Sequence, residues 1–148
     1  MYREFYIIGI IISFGLSLLM LYKRKEKWFS EKRTLYWIVG SFLTSIIGLT
    51  LSTNNHYRFL FYSLIVPPIF FFMDKLFKYL SFKIHDRDFY LYLRGSKEIN
   101  DSLSGLGKNK HIKASDILFS FGLLILIIGL TVFGAVLFGK NDLYHRWF

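Results

Sequence analysis

The run His85-Asp86-Arg87-Asp88 concentrates more potential chemistry than any other part of the chain: an imidazole, two carboxylates and a guanidinium, with Arg94 a little further on. A base, an acid and a cation in one place could serve hydrolysis or phosphoryl transfer. His85, Asp86, Asp88 and Arg94 are therefore the catalytic candidates. Consecutive residues point in different directions, however, and no nucleophile motif of the G-x-S-x-G kind accompanies them. A solvated charged connector accounts for the run better than an active site does. His111 could come near His85, but two histidines without a fixed spacing do not define a metal centre. The chain has no cysteine, which removes disulfides, thiolate catalysis and Cys-ligated metals. Gly105-Leu106-Gly107 follows no strand and lacks the further glycine of a phosphate-binding loop. Neither a cofactor nor a metal is expected.

The elements that must position these residues are membrane spans. The 148 residues are 53% hydrophobic and 20% aromatic, more apolar than an average soluble chain. The composition predicts one four-helix transmembrane domain over residues 1–148, all-α. Phe5–Tyr22 carries no charge over 18 residues, which as a helix is about 27 Å long and close to the hydrocarbon thickness. Leu35–Thr53 is a second uncharged run, entered from Ser30-Glu31 as N-cap and acidic first turn. Ile117–Gly139 is the last, opened by Ser115-Asp116 and closed by a glycine-led stop at Gly139-Lys140-Asn141. The third span is less regular. Phe59–Met73 holds Pro67-Pro68, so membrane length requires residues 57–80, with Lys75 and Lys78 snorkelling and Asp74 pairing one turn on with Lys78. Two prolines remove two backbone donors, which predicts a kink at Pro67 and Pro68 and a candidate hinge there. A re-entrant segment is the competing reading of this stretch.

The +9 formal charge is gathered beside the spans, which favours a membrane surface over nucleic acid as its partner. Loop 23–34 has Lys23, Arg24, Lys25, Lys27, Lys32 and Arg33; the segment Asp74–Asp116 adds nine more cations, and the other side keeps only Arg3, Arg58, Lys140 and Arg146. Basic residues resist translocation, so loops 23–34 and 81–116 are expected in the cytoplasm and both termini outside. The first span has no cleavage site and runs into cations, the pattern of a retained span and not of a signal peptide. Abundant Lys, Ile and Asn fit AT-rich codons, hence a bacterial inner membrane. Phe82–Leu93 fits a strand or an interfacial helix equally.

In lipid, helices associate through lines of small residues. Gly9, Ser13 and Ser17 form one such line, Gly40, Thr44, Gly48 and Ser52 a second, and Thr131, Ala135 and Gly139 a third, with Gly122 and Gly129 a heptad apart on the same span. No ionisable residue sits at mid-span depth, which speaks against a transport pathway or a wide pore. The leading expectation is a non-enzymatic protein that binds a membrane-protein partner or its own copy, as an accessory subunit or an immunity-type inhibitor. A membrane-embedded enzyme and a self-associating, membrane-depolarising channel are the alternatives.

Overall fold

A computed structural model describes residues 2–93 and 111–144, and among these every regular element is helical. The order is α1 (Tyr2–Ile10), a π-helical segment (Ile11–Leu16), α2 (Ser17–Tyr22), α3 (Lys27–Ser30), α4 (Lys32–Leu51), α5 (Asn55–Ser63), α6 (Val66–His85) and α7 (Ala114–Tyr144). Four stretches are long and apolar enough to cross a membrane: Glu4–Tyr22, Lys32–Leu51, Asn55–His85 and Ala114–Gly139. They coincide with the four spans read from hydropathy. The described residues fall into two compact units, one built from residues up to Phe71 and from Ile127 onward, the other from Phe72–Leu126.

In the first unit α1 and α4 both pack against α5. Gly9 lets the Phe59 ring lie against the α1 backbone, and Gly48 does the same for Phe61 on α4. A four-residue repeat drifts around a helix of about 3.6 residues per turn. The wider turn at Ile11–Leu16 offsets that drift, and Gly9, Ser13 and Ser17 are all buried. On α4 the buried side runs through Ile38, Ser45 and Gly48, while Gly40 and Thr44 face outward. Ser52 is half-buried just past the end of that helix. On α7 Thr131 is buried, Ala135 and Gly139 half-buried, and Gly129 exposed. Among the glycines of that helix the closest approach is at Gly134, which the Tyr62 ring covers. The Tyr62 hydroxyl donates to the Leu130 carbonyl at 3.0 Å, and that of Tyr6 to the Phe138 carbonyl at 2.8 Å. Two partly buried backbone acceptors of α7 are thereby bound from neighbouring helices.

The irregularity of the third span lies ahead of the prolines. Helical bonding lapses at Leu64 and Ile65, whose N–H groups reach only three residues back, to Phe61 (3.2 Å) and Tyr62 (2.9 Å). Val66, Pro67 and Pro68 then form the first turn of α6, and all three are buried. Missing N–H groups cost nothing in a first turn, where donors have no intrahelical acceptor anyway.

Several boundaries differ from the sequence reading. α4 starts at Lys32, three residues before Leu35, with Glu31 and not Ser30 in the extended N-cap position. α6 continues past residue 80 to His85 and stops at Asp86, whose φ of 56° is the left-handed value that ends helices and that Asp tolerates better than most residues. α7 does not stop at Gly139 but runs to Tyr144, because a glycine ends a helix only when the backbone turns left-handed there.

The second unit comprises the end of α6, the connector 86–93 and the start of α7. Phe77 stacks on Phe119 at 5.0 Å between centroids, Phe89 meets the same ring edge-on at 5.5 Å, and Gly122 admits the Phe77 ring. Phe89, Leu91 and Leu93 are buried, alternating with half-buried Tyr90 and Tyr92. The segment thus has the two-residue period of a strand.

Candidate functional site

The second unit holds the His85–Asp88 run, and its geometry follows from how α7 begins. The Lys113 carbonyl accepts from the N–H groups of Asp116 (2.9 Å) and Ile117 (3.4 Å), which makes Lys113 the N-cap. Its own N–H would be an orphan donor. The Asp116 carboxylate, three residues on, reaches back to it at 2.7 Å, one half of a capping box.

Asp116 is fully buried and accepts three further bonds. The Tyr90 N–H approaches at 3.1 Å, and both Arg87 terminal nitrogens donate, at 3.2 and 2.8 Å. Arg87 also donates to the carbonyls of Asp88 and His111, each at 2.9 Å, and its guanidinium lies over the Tyr90 ring at 4.4 Å. The hydrogen bonds it donates to Asp116 hold the Arg87 guanidinium above its ordinary pKa, so it stays charged at any physiological pH. One turn along α7, Ser120 accepts from the Tyr92 N–H at 2.8 Å and donates to the Asp116 carbonyl at 2.6 Å. Asp116 and Ser120, four residues apart on one helix face, therefore supply acceptors for the alternate N–H groups of Tyr90 and Tyr92 in the extended segment. Ser81 closes the other side, donating to the Arg87 carbonyl at 2.9 Å.

The four consecutive candidates are dispersed by this arrangement. Asp86 is exposed at the left-handed turn. Arg87 is committed to Asp116. Asp88 stands 3.8 Å from Lys78, a partner for that lysine besides the Asp74 expected from the four-residue spacing; Asp74 itself is buried. Arg94 lies outside the described residues. His85 alone meets a possible nucleophile, with Nε2 2.6 Å from the Ser115 hydroxyl. Its other nitrogen, Nδ1, faces the Lys113 amine at 3.1 Å. An ammonium can only donate, so Nδ1 accepts, the ring proton sits on Nε2, and that proton points at the serine. A serine hydrolase needs the reverse, with a carboxylate holding the proton on Nδ1 and a bare Nε2 facing the hydroxyl. Among the described residues, no three His, Cys, Asp or Glu side chains are grouped to hold a metal ion.

The residues that organise this region, Asp116, Ser120 and Lys113, were not among the candidates. Their signal was present: an acid and a serine one turn apart at a helix start, downstream of a segment alternating Phe, Tyr, Leu, Tyr, Leu. What the arrangement does chemically is bind a connector to a helix.

With four helices long and apolar enough to cross a bilayer, the chain has the construction of a multi-pass membrane protein. No known protein family, curated protein or solved structure matches it.

Proposed function

We propose that this chain is a non-enzymatic protein of a bacterial inner membrane that works by binding another membrane protein, as an accessory subunit or an immunity-type inhibitor. A second copy of the chain is the simplest such partner. The observation that carries this reading is the setting of Gly40 and Gly129. A Cβ added at either would meet nothing within 4 Å. Glycine inside a helix costs about 0.5–1 kcal/mol relative to alanine. Gly9, Gly48 and Gly134 recover that cost by admitting an aromatic ring, whereas Gly40 and Gly129 admit nothing from the described residues of their own chain. Lipid does not require a glycine, but the backbone of another helix in close approach does.

Gly40→Leu combined with Gly129→Leu is the test, read by photo-crosslinking in native membranes and by energy transfer between labelled copies in vesicles. Association should weaken on the order of tenfold, the effect of an intruding side chain in a tight interface. Thermal stability of the isolated chain should stay level or rise. Unchanged association would remove the reading.

The same proposal places both termini outside, on the strength of the lysine and arginine distribution. Because the chain lacks cysteine, Trp28→Cys and Lys97→Cys can be labelled cleanly. An impermeant maleimide should spare both in intact cells and react with Thr53→Cys; labelling in the opposite sense inverts the topology. Within this reading, the break at Leu64–Ile65 beside Pro67 and Pro68 is the hinge at which the third span yields.

A further inference from the structure

Loop 23–31 is fastened to the first unit more firmly than its charge would lead one to expect. Phe29 is buried, with its ring centroid 5.2 Å from that of Phe71. The Trp28 indole donates to Glu26 at 2.9 Å, Lys23 pairs with the same carboxylate at 3.3 Å, and the Thr34 hydroxyl donates to the Trp28 carbonyl. One of the loop's two carboxylates is thus engaged internally, while Lys32 and Arg33 stand exposed at the start of α4. Tyr36 and Trp37 follow each cation by four residues, one helical turn deeper along the same side, and are 72% and 80% exposed. Cations at phosphate depth above amphipathic rings at the glycerol level match the layering of a phospholipid headgroup region. The charge selects among headgroups: six cations lie between Lys23 and Arg33 against Glu26 and Glu31.

We infer that the start of α4, backed by this anchored loop, is a binding site for the headgroup of an anionic phospholipid. Lys32 and Arg33 hold the phosphate, and Tyr36 and Trp37 pack against the glycerol and upper acyl region. The site stands whichever leaflet the loop occupies, and it is independent of the outward glycines used above.

The test is competition between phosphatidylglycerol and phosphatidylcholine. Protein reconstituted in an equimolar mixture and washed in mild detergent should retain phosphatidylglycerol preferentially, counted by native mass spectrometry. Each cation near a charged surface contributes about fivefold, so Lys32→Gln with Arg33→Gln should lower the preference more than tenfold. Lys32→Arg with Arg33→Lys should preserve it, and Lys83→Gln with Lys113→Gln, equal in charge lost, should change it less than twofold. Absence of a preference in the parent chain overturns the site, as does an equal fall in the Lys83/Lys113 variant, which would assign the effect to net charge. A second measurement needs no loss of charge. With Trp28→Phe and Trp147→Phe leaving Trp37 as the fluorophore, brominated phosphatidylglycerol should quench it at lower mole fraction than brominated phosphatidylcholine, and equal quenching overturns the site.

Discussion

Asp116→Ala should destabilise the second unit by about 3–5 kcal/mol, the cost of breaking a buried ion pair by removing one partner. Four donors lose their acceptor together: two from Arg87, the Tyr90 N–H and the Lys113 N–H. Each buried group left unsatisfied costs about 1–3 kcal/mol, and the bond to the Lys113 N–H is in addition part of the cap of a 31-residue helix. Arg87→Ala should be milder, because the carboxylate keeps its two backbone donors. Arg87→Met with Asp116→Leu should recover part of the loss but not all of it, since apolar replacement suits the ion pair and still abandons Tyr90 and Lys113. The midpoint of thermal unfolding in detergent measures the series. Limited trypsin digestion localises it, with cleavage at Lys83 and Arg87 accelerating in Asp116→Ala well before the membrane spans are affected. Equal stability of Asp116→Ala and the parent chain would show that the connector is held without the Asp116 bonds.

That experiment concerns the part of the chain that was hardest to read. The spans were legible because their determinant is local: an uncharged apolar run of bilayer length has few alternatives as a structure. The connector has no such local determinant. His85 to Leu93 changes from helix to extended chain at Asp86, and the extended half is bound by a carboxylate 26 residues beyond Tyr90. A search for catalytic groups sees His, Asp, Arg and Asp in a row and cannot see that Arg87 is already bound. Asp116 was visible as a helix-start residue, but its second role depends on tertiary contact and leaves no mark in spacing.

The small-residue lines show the same division. Four-residue spacing found helix faces, but a helix has several such faces, and spacing does not say which one its own chain uses. On α4 the line containing Gly40 and Thr44 diverges from the buried side, which Gly48 shares with Ile38 and Ser45. The prolines were read for the hydrogen bonds they cannot make. Their position in the first turn of α6 makes that loss harmless, and the interruption is taken up by Leu64 and Ile65.

Gly134→Val should lower the stability of the first unit by about 1–3 kcal/mol through overpacking. An added Cβ here runs into the Cδ1–Cε1 edge of the Tyr62 ring. That edge cannot swing aside cheaply: the hydroxyl is bound to the Leu130 carbonyl at 3.0 Å, and the ring lies 5.7 Å from that of Phe138. To make room, Tyr62 must give up its hydrogen bond or the helices must separate. Gly129→Ala, five residues away on the same helix, should act in the opposite sense. Nothing stands near its Cβ, and the gain is the backbone entropy that glycine forfeits, about 0.5–1 kcal/mol. Tyr62→Leu should rescue part of the Gly134→Val defect while being destabilising by itself, a non-additivity that a double-mutant cycle on unfolding midpoints measures directly. Strict additivity would mean that α7 can shift to accept the methyl groups, and that Tyr62 does not set the distance between the helices.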